Sequence, residues 1–157
     1  MAKYDDASWH YGGDYPEDIH KENGATHIGM YMMWCIENNL VSEELLEDSE
    51  NEIEKVKKRE ITGAEFLIEY CDGQLIDDNL SILGNEFSSD YYDEESEYAK
   101  KYNSYFSDYT QTFDDKAEEQ NFAYETIYHI EDDFENYDLI KPIISQRFEE
   151  WKSYTEN

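Results

Sequence analysis

"ATHIGMYMMWCIEN", residues 25–38, decides the fold. Between Ile28 and Ile36 it is apolar on nearly every side, and a helix that is hydrophobic all round belongs at the centre of a domain. A chain of 157 residues has material for one core around such a helix. Only two prolines occur, Pro16 and Pro142, and the long polar segments are rich in helix formers, so the other elements are expected to be helical as well. The expected architecture is mainly α: a single-domain helical bundle over residues 1–157, with an irregular N-terminal arm at 1–23 packed on the helical core.

Ahead of the central helix, Gly12, Gly13 and Pro16 mark turns in that arm. Trp9, Tyr11 and Tyr15 recur on nearly alternate positions, as in an extended segment that lays one side on a core. His27 opens the central helix, with Thr26 or Asn23 as its cap, where a neutral imidazole can hydrogen bond into the arm. Behind it, Ser42 is expected to cap one surface helix over "EELLEDSENEIEKVKKRE", residues 43–60, with acids early and bases late as the helix dipole favours. Its apolar stripe of Leu45, Leu46, Ile53 and Val56 is thin. Thr62 and Glu65 have capping-box spacing and open a short helix that stops near Gly73.

Phe87, Tyr91, Tyr98, Tyr102, Tyr105, Tyr109 and Phe113 follow one another at intervals of 4, 7, 4, 3, 4 and 4. These intervals draw one helical face in aromatics, whether on one helix or on two broken near Asp93, with the tyrosine hydroxyls reaching the wet edge of the core. Thr126–Ile130 reads as a short extended segment. A final helix is expected from about Asp138 to Ser153, with Pro142 in its first turn.

The net charge of −28 and a pI near 4.1 describe a surface that repels nucleic acid and anionic lipid and attracts a basic partner. Cys35 and Cys71 lie in apolar runs without CxxC spacing, as small hydrophobes in a reducing compartment do. No segment has the pattern of a signal peptide or the length of a membrane span, which gives the expectation of a cytoplasmic protein without membrane contact.

The chemistry-bearing motifs are sparse. His10, His20, His27 and His129 include no HxxxH or HExxH pair, so no metal ligand is assigned. Phosphate-binding and calcium loops are lacking, no cofactor is expected, and neither Ser8 nor Cys35 stands in a nucleophile motif. The acids are more informative. Twelve fall between Glu60 and Ala99 without one lysine or arginine, and eleven between Tyr102 and Ile140 against Lys116 alone. Two groups interleave carboxylates with rings: Asp90, Tyr91, Tyr92, Asp93, Glu94, Glu95 and Glu97, and Glu131, Asp132, Asp133, Phe134 and Glu135. Carboxylates that pair with arginine and lysine, beside rigid aromatic anchors, suit a specific protein interface, so these residues are assigned to partner binding and none to catalysis.

"KYDDASWHYGGDYP", "GATHIGMYMMWCIENNL" and "IYHIEDDFENYDLIKPIISQRFEEW" resemble a family of small uncharacterised bacterial proteins, described only as a domain of unknown function, whose members occur beside polymorphic toxin genes. The resemblance covers roughly the first 40 and the last 35 residues. It implies a bacterial immunity protein, monomeric until it meets its target. Together with the charge, it gives the expected function: to bind and neutralise a cognate toxin domain, a basic nuclease of a contact-dependent or Rhs-type system, without touching nucleic acid itself. Two alternatives stand beside it. One is a small enzyme with a pocket under His10, Asp14 and His27; the other is an acidic nucleic-acid mimic that blocks a DNA-binding protein.

Overall fold

Every residue from Thr26 to Ile36 is buried, so helix α1 (Thr26–Glu37) is the axis on which the other elements pack. The computed structural model describes residues 3–10 and 21–156. In chain order the elements are β1 (Lys3–Asp6), a 3-10 turn (Ala7–His10), a second (Lys21–Ala25), α1, α2 (Glu43–Asp48), α3 (Glu50–Lys57), α4 (Gly63–Tyr70), β2 (Gln74–Ile76), a 3-10 turn (Asp77–Asn79), α5 (Ile82–Tyr91), α6 (Glu97–Lys101), α7 (Tyr105–Glu119), a 3-10 turn (Ile127–His129) and α8 (Phe134–Glu156). The protein is thus mainly α with one small sheet. No helix of the described residues is long and apolar enough to cross a membrane.

The strongest packing is between α1 and α4. Their backbones touch: a Cβ on Gly63 would lie 1.9 Å from the Gly29 carbonyl oxygen, and one on Gly29 would lie 2.2 Å from the Ala64 nitrogen. α1 stops at Asn39, whose φ is 58°. There the Leu40 N–H donates to the Cys35 carbonyl at 2.9 Å and the Asn39 N–H to that of Ile36 at 3.3 Å, a Schellman closure in which asparagine tolerates the left-handed backbone. Arg59 and Asn121, also at positive φ, close α3 and α7 with the same pair of bonds.

Local signals placed the helix starts well and the helix continuity poorly. Ser42 accepts from the Leu45 N–H as expected, but the single helix expected over 43–60 is broken at Ser49, which is buried at φ −132°. The break re-aims the chain so that Leu45 on α2 and Ile53 and Val56 on α3 are all buried. The capping box forms, with Glu65 N–H to Thr62 Oγ1 and Thr62 N–H to Glu65 Oε1 both at 3.2 Å. The aromatic run is carried by three helices. Straight, residues 82–119 would extend about 57 Å, well beyond the width of a small domain. The run is broken twice, between α5 and α6 and between α6 and α7, and Ser81, Ser96 and Ser104 cap the three helices by accepting from the N–H groups of Gly84, Ala99 and Ser107. The expected inner face survives: Phe87, Tyr91, Tyr98, Tyr105, Tyr109 and Phe113 are buried, and Tyr102 is half-buried.

Around α1, Trp34 meets Phe87 and Phe148 at ring distances of 5.6 and 5.3 Å, and Tyr31 meets Tyr105 at 5.0 Å. The tyrosine hydroxyls find partners inside the protein more than at its wet edge. Tyr31 bonds Ser88 Oγ at 2.7 Å, and Tyr91 donates to Asp108 Oδ2 at 2.7 Å. Asp108 is itself buried and gripped by both Arg147 Nε (2.9 Å) and Nη2 (3.2 Å), so its charge is compensated.

Three further expectations are corrected. The arm does not start irregularly: Lys3–Asp6 pairs antiparallel with Gln74–Ile76, Asp5 opposite Leu75, with an irregularity between Lys3 and Asp5. The turn after Gly73 (φ 71°) brings β2 alongside, a pairing distant in sequence that no local pattern announces. Within 126–130 the chain is not extended: Ile127–His129 forms a 3-10 turn, capped by the Thr126 hydroxyl, which accepts from the Tyr128 N–H at 3.1 Å. Pro142 stands well inside α8, which begins at Phe134. Both Pro142 and Asp138 are exposed, so water can reach the Asp138 carbonyl that lacks an intrahelical donor.

Gly63→Ala is expected to destabilise the fold by about 3 kcal/mol, the upper end of overpacking penalties. The loss should appear as a lower urea midpoint with an unchanged m-value. An unchanged midpoint would mean that α1 and α4 do not touch there.

Candidate functional site

The N-terminal strand carries a buried carboxylate, Asp5, which four donors reach. Oδ1 accepts from the Asp6 N–H at 2.8 Å and from His10 Nε2 at 3.0 Å. Oδ2 accepts from His27 Nε2 at 3.0 Å and from the Tyr92 hydroxyl at 2.6 Å. Three local structures converge here: β1 turns Asp5 inward, the following 3-10 turn brings His10 back over it, and the first turn of α1 presents His27. His10 Nδ1 lies 2.9 Å from the Tyr128 hydroxyl, and the two imidazoles meet edge-on at 4.7 Å.

Burial opposes the charge on Asp5, but hydrogen bonds from His10, His27 and Tyr92 and the proximity of His27 outweigh it and hold the carboxyl well below its usual range. Burial lowers His27 against the pull of Asp5, and His10 adds to the lowering, so this ring is neutral at pH 7. Since an ionised carboxylate only accepts, the neutral His27 carries its proton on Nε2. Unfolding lets His27 take up a proton near pH 6.5, so the stability it confers is present above that pH and lost as the pH falls below it.

The expected bond from His27 into the arm therefore exists, though to Asp5, which the sequence hid among forty acids. Neither expected cap is used: α1 starts after Ala25 without a side-chain cap, and Asn23 Nδ2 donates instead to the Tyr128 carbonyl at 2.9 Å. Trp9 is 58 % exposed, with the Lys3 ammonium 5.6 Å from its ring, and so does not lie on the core. Tyr11, Gly12, Gly13, Asp14, Tyr15, Pro16 and His20 fall outside the described residues. His10 and His27 thus converge on Asp5, and at 2 % exposure His27 makes this an interior knot. Burial likewise pushes both thiols up, Cys71 to about 12, as suits inert packing residues.

The two acidic groups have different fates. Asp93, Glu94, Glu95 and Glu97 stand exposed at the break between α5 and α6 and on the first turn of α6. Asp90 is half-buried, and its Oδ2 accepts the Trp151 indole N–H at 2.8 Å. Tyr91 is buried on Asp108 in the aromatic stripe and so is not the surface anchor that was expected, whereas half-buried Tyr92 sends its hydroxyl inward to Asp5 while lining the groove described below. Phe134 is half-buried, with the Arg59 guanidinium 5.4 Å from its ring.

Around it, Asp133 Oδ1 accepts the Asn136 N–H at 2.8 Å in the first turn of α8, Glu131 Oε2 accepts from Asn136 Nδ2 at 3.3 Å, and Asp132 Oδ2 accepts from the Thr62 hydroxyl at 2.6 Å. Glu135 is exposed. Because Asp90 meets Trp151 while Asp133 adjoins Phe134, the groups sit at opposite ends of α8, about 25 Å apart along its axis. They are therefore not neighbours.

Beside the first group runs a groove of about 510 Å³ between β1 and the α5–α6 break, lined by Tyr4, Ser89, Tyr92, Asp93, Glu94, Glu95 and Lys3. Lys3 pairs with Asp6 at 3.0 Å, and Lys100 reaches Glu95 at 3.5 Å in an exposed pair that contributes little. Among the described residues, Asp93, Glu94 and Glu97 have no cationic partner. Tyr92 links this groove to the knot beneath it.

Fold and knot together define a small helical domain whose N-terminal strand is tied to its central helix through a buried carboxylate. The chain belongs to the family of the domain of unknown function DUF7832, whose model matches residues 3–126. That match takes in Asp5, His10 and His27 and the charged middle of the chain, and ends before α8, whereas the resemblance read from sequence lay at the two ends. No curated protein and no solved structure matches the chain.

Tyr92→Phe keeps the ring and removes one donor to a buried charge, for an expected loss of about 2 kcal/mol in urea unfolding. Asp132 behaves in the opposite sense to Asp5. Burial raises it to about 6, helped by Glu65 and Asp133 and opposed by Thr62, so its favourable contribution is present at low pH and lost as the pH rises through 6. Asp132→Asn is accordingly expected to stabilise the protein by about 2 kcal/mol at pH 7.5 and to have little effect near pH 4; equal gains at both would exclude the buried-acid account.

Proposed function

We propose that this protein is an immunity protein: it binds and neutralises a cognate basic toxin domain, a nuclease of a contact-dependent or Rhs-type system, through the acidic groove beside the α5–α6 break. The observation that carries this reading is the pair of exposed carboxylates Asp93 and Glu94, which lack internal cations and line a concave surface, with exposed Glu97 close by on the first turn of α6, on a chain of charge −28. Ordinary exposed acids gain little by facing water alone. Facing the lysines and arginines with which a nuclease holds phosphates, they replace the phosphates and steer the encounter. The apolar part of the contact falls to Tyr4 and Tyr92 in the groove. The acids at the start of α8, several of which are engaged in helix capping and internal bonds, are assigned no part in first contact.

The test uses as its target the basic toxin domain that this reading requires the neighbouring gene to encode. Replacing Asp93, Glu94, Glu95 and Glu97 by their amides is expected to slow association at least ~10-fold at low salt and to abolish protection of cells that express the toxin. Neutralising Glu131, Asp133 and Glu135 should leave both unchanged. Full protection by the first variant would refute the groove as the binding surface. Failure of the unaltered protein to bind that toxin would refute the function.

A further inference from the structure

We propose that Asp5, His10 and His27 form a binding site for one divalent transition-metal ion of the zinc class, which staples the N-terminal strand to the central helix. A carboxylate oxygen and the two imidazole nitrogens all lie within 4.8 Å of one another. Both rings aim the same atom, Nε2, at the same carboxylate from 3.0 Å. An ion with bonds of about 2.0–2.2 Å in tetrahedral geometry needs donors roughly 3.3 Å apart, so a displacement of well under one ångström per ligand would admit it. Two imidazoles and one carboxylate select zinc-like ions over magnesium and calcium, which take oxygen ligands. Three protein ligands are the number that leaves one position for water.

The surroundings fit as well as the ligands. A metal-bound imidazole turns its other N–H to a hydrogen-bond partner that fixes the ring, and His10 Nδ1 already faces the Tyr128 hydroxyl at 2.9 Å. The ligating carboxylate is oriented by the Tyr92 hydroxyl and the Asp6 N–H. On binding, each imidazole shifts its proton from Nε2 to Nδ1, where on His10 the Tyr128 oxygen accepts it, so a neutral ring need release no proton. The site lies on a chain with 28 excess negative charges, which raises the local concentration of cations. The absence of HxxxH pairs from the sequence does not count against it, because that pattern belongs to sites on one helix, and these ligands come from a strand, a turn and a helix start.

The experiment takes the full chain, tag removed and stripped with EDTA, and titrates it with Co²⁺ and then Zn²⁺ in millimolar Mg²⁺ that occupies the exposed acids. One equivalent of Co²⁺ should give visible d–d absorption, zinc should displace it, and each ion should raise Tm. His10→Ala, chosen because His10 is the more exposed imidazole, should bind at least ~100-fold more weakly, and Tyr128→Phe, which keeps all three ligands, ~10- to 100-fold more weakly. Wild-type protein that shows no stoichiometric Co²⁺ spectrum overturns the proposal, as does affinity unchanged in either folded variant. Should His10→Ala not fold, the wild-type titration and Tyr128→Phe decide alone. None of these outcomes depends on a toxin.

Discussion

One buried carboxylate holds the ends of this architecture together. Asp5 belongs to a strand of four residues, too short to stay in place through its pairing with three residues of β2 alone. Its oxygens reach His27 on the central helix, His10 on the turn that follows, and Tyr92 at the end of α5. Placing a charge in the interior is costly unless it is fully hydrogen-bonded, and the same cost makes the arrangement specific, since a misplaced arm would leave Asp5 buried and unpaired. The arm is fixed because its alternatives are poor.

The same rule recurs deeper in the protein. Asp108 is compensated by Arg147 and receives the Tyr91 hydroxyl, and Tyr105 donates to the His27 carbonyl. A core built so largely of tyrosine has hydroxyls to satisfy, and short polar links do so for Tyr31, Tyr91, Tyr98, Tyr105 and Tyr137, while that of Tyr109 has no partner among the described residues. These links join α1, α5, α7 and α8 alongside the aliphatic packing of residues such as Ile28, Ile140 and Ile144. Most of the other acids lie on the surface, and at the α5–α6 break they border a groove supported from below by Tyr92.

What could be read from the sequence followed the range of the forces. The all-apolar run at 28–36, the serine cap at 42 and the Thr62/Glu65 capping box are short-range patterns, and each appears where expected. The aromatic spacing identified the buried face correctly but not the two breaks, because a phase can survive a turn and Ser96 and Ser104 looked like ordinary polar residues. The strand pair and the knot depend on residues far apart in the chain. Asp5 was one acid among forty, and nothing local distinguished it from Asp6. The acidic groups were legible as composition, but their separation by the length of α8 and the inward direction of Tyr91 and Tyr92 are tertiary facts.

The knot and the groove divide the protein into a part that fixes shape and a part proposed to meet a partner, with Tyr92 common to both. Amide hydrogen exchange, measured on the protein alone and with the basic toxin domain proposed as its target, tests this division most directly. The account requires new protection at residues 89–97 and along β1, with α8 residues 134–140 unchanged. Protection confined to the start of α8, with 89–97 exchanging as before, would contradict it.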